Sequence, residues 1–349
     1  MRTTTAYGTH GSTTLVAGPI ERRELRPRDV AVDVSHCGVC HSDLHAVHAH
    51  ASSRADDLLV PGHEFVGTVT QIGAHVAEFR VGDAVAVGNI VDSCGSCDMC
   101  RAGQENFCRE FPTTTYGGRD RVDGTTTLGG FAREYVVDEN FVYRRPTNLD
   151  PAAVAPLMCA GVTVWEPLRS HGVGPGSVVG VAGLGGLGHL AVKLARALGA
   201  SVTVFTTSQQ KADDARALGA TDVIISTDRH AMAAARGRFD LIIDTISAPH
   251  AVEPYLDTIG LDGTLSVVGY LGEISVTALA LLIGRKSLSS AGSGGRISTQ
   301  ELLDFCGEHD ISADVEVLPS GQINTALERL ARNDVRYRFV VDLSDLKNA

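Results

Sequence analysis

The stretch SVVGVAGLGGLGHLAVKLARALGASVTVFTTSQQK, residues 177–211, limits the possible folds more than any other. An apolar, β-rich run (VVGVAG) enters Gly183, Gly185 and Gly188. A helical pattern follows (HLAVKLARALGA), and SVTVF then has the character of a second strand. A GxGxxG spacing has meaning in this context of strand, glycine loop, helix and strand. Such glycines permit a tight turn and let backbone N–H groups and a helix N-terminus approach a pyrophosphate. A dinucleotide seat is therefore expected at Gly183, Gly185, Gly186, Leu187 and Gly188. Helices alternate with apolar strands from Asp150 onward, through DVIIS, FDLIIDTI, GTLSVVG and SLSSAGS. That alternation predicts a doubly wound parallel sheet, an α/β Rossmann unit. ARALGA occurs at 195–200 and again at 215–220, as two helices entering successive strands and not as a repeat array.

The end of the second strand chooses between cofactors. NAD binders place Asp or Glu there, against the ribose 2′-OH. Here the chain runs Phe205, Thr206, Thr207, Ser208, Gln209, Gln210, Lys211, with no acid before Asp213. Hydroxyls and Lys211 suit a 2′-phosphate, which an acid would repel. NADP(H) is expected over NAD(H).

Four of the eight cysteines stand in CGSCDMCRAGQENFC, as Cys94, Cys97, Cys100 and Cys108. The start of the chain has no apolar core like that of a secretory signal. A reducing, cytoplasmic setting is therefore expected, where clustered cysteines are more often metal ligands than disulfides. Four thiolates suit a closed tetrahedral zinc with no position left for substrate. An iron–sulfur cluster also uses short cysteine runs, with different spacings. Chemistry is then expected elsewhere. HCGVCHSDLH and VPGHEFVG offer Cys40 and His63, and APLMCAG offers Cys159. Two cysteines and one histidine make an open zinc site whose fourth position takes water or substrate.

With 349 residues, the chain is too long for one ordinary core, and two domains are expected. The first part shows short, glycine-punctuated strands (DVAVDVSH, EFVGTVTQIG, VGDAVAVG, AREYVV), in keeping with a small β-rich, barrel-like domain. TQELLDFCGEHD is amphipathic and predicted helical. No run of 18 apolar residues calls for a membrane span, and the net charge of −11 argues against a nucleic-acid partner.

Together these motifs resemble the zinc-dependent medium-chain alcohol dehydrogenases, and within them the NADP-dependent cinnamyl alcohol dehydrogenase branch with its bacterial broad-range aldehyde reductases. CGVCHSDLH, PGHE, the four-cysteine run, LMCAG, GLGGLG, TTSQQK, LDFCGEHDI and DVRYRFVVD carry the resemblance over almost the whole chain. The resemblance implies a discontinuous GroES-like catalytic domain, 1–150 with 292–349, and a cofactor domain, 151–291, with the active site in the cleft between them. It implies catalytic zinc on Cys40, His63 and Cys159, with Glu64 beside the metal as an alternate ligand. Asp43 would orient the ligand histidine, Ser42 would bond the substrate oxygen, and His45 would pass its proton to solvent. His41 would lie by the pyrophosphate, Thr163 near the nicotinamide, and Arg338 within reach of the cofactor. The substrate implied is a small alcohol or aldehyde, and the assembly a homodimer in which the KSLSSAGS strand pairs across the two-fold axis.

In one respect the chain departs from that branch. AVHAHASSRADDLLV, residues 46–60, has no aromatic residue where relatives wall the pocket. Trp165, the only tryptophan, is the candidate replacement, with Phe111, Tyr116 and Ile297 as further pocket positions. Alternatives remain on the same fold. A polyol dehydrogenase would replace the third cysteine ligand with an acid, and a reductase of conjugated C=C or iminium bonds would lose the Ser–His relay. A zinc-ribbon binding module, or an inactive NADPH sensor, would have no use for one or other of the two sites.

Overall fold

In the computed structural model, which describes residues 1–53, 57–270 and 272–346, the chain opens with an antiparallel pair, β1 (Arg2–Gly8) and β2 (Val16–Arg22). There follow β3 (Asp29–Val39), α1 (His41–Ser53), β4 (Phe65–Ile72), β5 (Ala84–Val87), β6 (Ile90–Asp92), α2 (Asp98–Arg101), β7 (Thr113–Thr114), β8 (Glu134–Asp138), β9 (Tyr143–Arg144) and α3 (Pro151–Val154). The middle of the chain runs α4 (Ala160–Ser170), β10 (Val178–Ala182), α5 (Gly188–Ala197), β11 (Ser201–Thr206), α6 (Gln210–Ala217), β12 (Asp222–Ile225), α7 (Arg229–Ala234), β13 (Phe239–Asp244), α8 (Glu253–Thr258), β14 (Ile259–Val267), α9 (Ala278–Leu282) and β15 (Ser287–Ser290). It closes with α10 (Arg296–Glu308), β16 (Val315–Pro319), α11 (Ile323–Ala331) and β17 (Arg338–Asp342). No helix among the described residues is long and apolar enough to cross a membrane.

The chain divides into two units, Met1–Cys159 with Gly295–Ala349, and Ala160–Gly294. The sequence-based boundaries stood at 150/151 and 291/292. Residues 151–159 instead belong with the first unit, because α3 packs on β3, β4, β16 and β17, and Ala313 N–H donates to the Ala153 carbonyl at 3.1 Å. Residues 292–294 stay with the second.

In the first unit a seven-stranded sheet runs β16-β17-β3-β4-β5-β9, with β8 also paired to β3. β16 and β17 are parallel and the other pairings antiparallel. β3 has neighbours on both edges and is mostly buried, which is why DVAVDVSHCGV carries apolar residues with little alternation. Phe65, Phe131 and Phe339 are wholly buried around it, each contributing roughly 1.5–3 kcal/mol by transfer from water.

The second unit holds a six-stranded, wholly parallel sheet in the order β12-β11-β10-β13-β14-β15. Numbered from β10, this is the 3-2-1-4-5-6 order of a dinucleotide fold, and it reverses direction between β10 and β13. Gly183 turns the chain out of β10 at φ +89°, in the left-handed region. A Cβ on Gly188 would stand 2.2 Å from the Gly183 carbonyl oxygen, so only glycine lets α5 start so close to the strand end. A Cβ on Gly185 would meet no atom within 4 Å, which leaves the backbone open to an approaching group. These are the three tasks of glycine in such a turn.

Candidate active site

Cys40 follows the last residue of β3, and α1 begins at the next residue. Asp43, in the first turn of α1, reaches back to accept the Cys40 N–H at 2.9 Å, as an acid at the third helical position caps a helix start. Its other oxygen accepts from Gly62 N–H and from His63 Nδ1, each at 3.0 Å. Gly62 sits at φ +95°, and a Cβ there would meet the Phe131 nitrogen at 2.6 Å; this turn aims His63 inward. Asp43 is wholly buried, and its Oδ1 is positioned to accept a proton carried on His63 Nδ1. The other ring nitrogen, Nε2, lies 3.2 Å from Cys159 Sγ. Cys159 comes from the turn after Ala155–Met158 and stands 3.9 Å from Cys40 Sγ.

These donors fit zinc. Legs of about 2.3 Å in a tetrahedron set two sulfurs about 3.8 Å apart. The observed 3.9 Å matches that and is far too long for a disulfide. One ligand atom each from Cys40, His63, Glu64 and Cys159 lies within 4.8 Å of every other. The hydrogen bond between the two thiols drives Cys40 well below the ordinary thiol range and Cys159 well above it.

Behind the cluster, Glu64 and Arg338 form a buried ion pair between Glu64 Oε1 and an Arg338 terminal nitrogen. Burial pushes the Glu64 carboxyl up to about 8, against the pull of Arg338. Glu64 Oε2 and Arg338 Nε are buried without a hydrogen-bond partner. Arg338, expected within reach of the cofactor, has Glu64 as its ion-pair partner. Tyr116, expected only as a pocket position, stands edge-on to the His63 ring with centroids 5.7 Å apart. Fifty-odd residues separate the two, and no local pattern announces the contact.

Ser42 and His45 sit three apart on α1, both exposed, so their side chains share a face. Ser42 Oγ lies 3.7 Å from Cys40 Sγ. His41 is half-buried, and burial lowers its imidazole below the usual range. His48 is exposed, and His50 bonds the Asp57 carbonyl. Of the stretch without aromatics, residues 54–56 lie outside the described residues. Phe111 and Ile297 are largely exposed.

Cys94, Cys97, Cys100 and Cys108 meet at a second cluster, with one sulfur each within 4.8 Å of the rest and Cys94 to Cys100 at 3.9 Å. The sulfurs accept backbone N–H groups, from Cys97 to Cys94 at 3.3 Å, Cys94 to Cys108 at 3.4 Å and Cys100 to Cys97 at 3.5 Å. Such donors stabilise thiolates: N–H groups of Ser96 and Cys97 bring Cys94 down to about 6. With four sulfurs at zinc spacing, this donor set also fits the ion and closes its tetrahedron.

In the second unit no side chain caps the start of α5, where Gly185, Gly186 and Leu187 lead into the helix. That leaves helix N–H groups for an anion, the fit a pyrophosphate requires. Thr206 closes β11, buried, and its Oγ1 accepts the Ser208 N–H at 3.2 Å. Thr207 and Lys211 are exposed beside it, Lys211 in the first turn of α6. Thr163 is buried in α4 and accepts the Ser293 N–H at 3.2 Å, and Trp165 is buried on the same helix.

A glycine-turn parallel sheet in one unit and two zinc-spaced cysteine clusters in the other define a zinc-containing dinucleotide oxidoreductase. Residues 26–147 match the alcohol dehydrogenase GroES-like domain, and residues 186–308 match the zinc-binding dehydrogenase domain. A mannitol dehydrogenase of Petroselinum crispum is 48% identical over 93% of this chain and 96% of its own length. An NADP-dependent alcohol dehydrogenase C 1 of Mycolicibacterium smegmatis is 45% identical over the full length of both. The solved cinnamyl alcohol dehydrogenase of Sorghum bicolor superposes with a TM-score of 0.94 at 42% identity, covering 100% of this chain and 99% of that one. The chain belongs to the zinc-binding alcohol dehydrogenase family, on its cinnamyl alcohol dehydrogenase-like branch.

Proposed function

We propose that the protein interconverts alcohols and aldehydes with NADP(H), using one catalytic and one structural zinc per chain. The observation that carries this is the donor set of Cys40, Cys159 and His63, two sulfurs and one imidazole, with His63 held by Asp43 so that Nε2 faces the sulfurs. Zinc bound there supplies Lewis-acid polarisation of the carbonyl, or acidifies the alcohol. The dinucleotide supplies or accepts the hydride.

The residues of the chain do the rest. Asp43 holds the histidine tautomer and orients its ring. In reduction, the product oxygen takes a proton from Ser42 Oγ, and His45, open to water one helical turn along, resupplies it. Aldehyde, NADPH and one proton give alcohol and NADP⁺, so the balance closes with solvent as proton source. Gly183 to Gly188 seat the pyrophosphate with His41 beside it, and Thr206, Thr207, Ser208 and Lys211 receive the 2′-phosphate. Thr163 lies by the nicotinamide. Arg338, whose ion pair with Glu64 supports a positioning role, also reaches toward the cofactor. Cys94, Cys97, Cys100 and Cys108 hold the second zinc and brace their loop.

A homodimer in the cytoplasm completes the proposal. β15 is an edge strand, and Leu279, Leu282 and Ile283 just before it are 61%, 71% and 65% exposed, which supports pairing of two copies there. Relatives of similar identity are named for mannitol and for NADP-dependent alcohol oxidation, so likeness does not select a substrate. The sugar alcohols set aside on the strength of Cys159 return to the assay. The decisive test combines metal analysis with a panel of aromatic, aliphatic and sugar aldehydes and alcohols, followed by reduced-cofactor absorbance with NADPH and NADH. Two zincs per chain and preferential use of NADPH are expected. A single zinc, or turnover with NADH alone, refutes the proposal.

A further inference from the structure

At the carboxyl end of β13 stands a pair, a buried acid and a half-buried histidine, that the chemistry above leaves unused. Asp244 is wholly buried and lies opposite Ala182, the last residue of β10, so it sits at the switch point of the sheet. The next residue, Thr245, is fastened to the glycine turn. Its N–H donates to the Ala182 carbonyl at 2.9 Å, and its hydroxyl donates to the Ala182 and Gly183 carbonyls at 2.8 and 3.2 Å. Thr245 and Ile246 are also the atoms that a Cβ on Gly183 would meet. The loop after β13 is thus one wall of the dinucleotide seat.

His250 closes that loop. Its Nε2 lies 2.7 Å from Asp244 Oδ2, and its Nδ1 lies 2.8 Å from the Ala248 carbonyl oxygen. Asp244 Oδ1 accepts the Ile246 N–H at 3.1 Å. Both ring nitrogens therefore face oxygens, and a carbonyl oxygen can only accept. A neutral imidazole has one N–H and cannot make both bonds to an ionised carboxylate. The set is complete in two ways. In one, an imidazolium faces a carboxylate. In the other, a neutral ring donates from Nδ1 and accepts a proton held on Asp244. Each form carries the same extra proton and no net charge. Loss of that proton breaks one bond and leaves a net negative charge beside the place where the pyrophosphate enters. The titratable groups facing the imidazole are Asp244 from β13 and Tyr255 from α8. Burial raises the Asp244 carboxyl, and the Tyr255 ring stands edge-on with centroids 6.0 Å away.

We infer that His250 and Asp244 form a one-proton latch that positions the β13 loop against the glycine turn, so that affinity for the anionic cofactor depends on that proton. His250 and Asp244 are positioning residues: they act through Thr245 and the turn. The inference rests on the NADP(H) reading of the second unit. Binding selects the protonated latch, so affinity is full at low pH and falls as pH rises through the titration of the pair.

The test is direct binding of NADPH to the whole protein, followed by its fluorescence between about pH 6 and 10, with no turnover needed. For the wild type, Kd should be flat and then rise by about tenfold per pH unit above the transition, the slope of one linked proton. Asp244→Asn supplies the missing N–H without a titrating proton. That variant should bind as the wild type does below the wild-type transition and stay flat above it. His250→Gln retains one donor and loses the second contact. It should be flat but weaker than the wild type below its transition by roughly three- to tenfold, the loss of one hydrogen bond. The 2′-phosphate titrates identically in all three and cancels in the comparison. Wild-type binding without pH dependence, or an Asp244→Asn profile that follows the wild type, overturns the latch while the cofactor reading stands. A wild type that binds NADPH at no pH overturns both.

Discussion

Asp43→Asn isolates the residue on which the geometry of the candidate zinc site turns. The change preserves shape and removes charge. Oδ1 can still accept from Gly62 N–H and His63 Nδ1, but the amide nitrogen then meets the Cys40 N–H, donor against donor. Hydrogen bonds to a charged acceptor are worth about 1.5–3 kcal/mol, and neutral ones about 1 kcal/mol. One bond is lost and two are weakened, for a total of about 3–5 kcal/mol at a fully buried position. At about 2–4 °C per kcal/mol for a unit of this size, melting should fall by on the order of 10 °C. The change also frees the His63 ring to rotate and to exchange tautomers, and loss of such a support lowers metal affinity about 10- to 100-fold. The assay is competition with a chromophoric chelator near neutral pH. The four-cysteine zinc is the internal standard, since Asp43 makes no contact with its ligands. One zinc should be released early and the other at the wild-type chelator concentration. If both zincs stay at wild-type affinity while only the melting temperature falls, Asp43 is a helix cap and nothing more.

Three further outcomes are expected. Cys159→Ala should reduce zinc from two to one per chain and abolish turnover while NADPH fluorescence on binding persists; ordinary activity would show that the zinc ligands are misassigned. Lys211→Ala should weaken NADPH about tenfold or more and NADH little, because a 2′-phosphate contact is charge-assisted; equal losses for the two cofactors would remove Lys211 from the phosphate site. Gly188→Ala drives a methyl to 2.2 Å from the Gly183 carbonyl oxygen, and should cost about 1–3 kcal/mol in denaturant unfolding along with most cofactor affinity. A variant of wild-type stability would mean that the start of α5 shifts freely.

The features legible in the sequence are those written locally. The strand, glycine turn and helix of 178–197 are one contiguous run, and each glycine has a separate steric reason that the structure displays. The same holds for Cys94 to Cys108, where short steps bring four sulfurs together around α2. Cys40, His63 and Cys159 come from three segments, and residue type with family resemblance, not spacing, brought them together. What stayed hidden depends on pairings over long distances. Arg338 reaches Glu64 because β17 pairs with β3, setting Phe339 opposite Val39. Tyr116 meets His63 from a loop with no periodic signal. The first boundary shift has the same origin: residues 151–159 look like the start of an α/β unit, and their packing on β3, β4, β16 and β17 assigns them to the first.

The two cysteine clusters in one unit differ in the charge of their donors, and that difference separates a brace from a reaction centre. Four thiolates outweigh a dication and fill its tetrahedron, so an ion held by Cys94, Cys97, Cys100 and Cys108 has neither spare charge nor a free position. Two thiolates and one imidazole balance the dication and leave one position, so an ion held by Cys40, His63 and Cys159 keeps its pull on an oxygen. Glu64 is the residue that can upset this balance, because its carboxylate lies within reach of the same point. Burial disfavours its bare charge, and Arg338, 274 residues away in sequence, takes up that charge on ionisation. Removing Arg338 therefore does more than leave a buried acid unpaired, at a cost of about 3–5 kcal/mol. It removes the group that favours an ionised Glu64, so whether a third anion stands beside Cys40, His63 and Cys159 is set in part by the last strand of the chain.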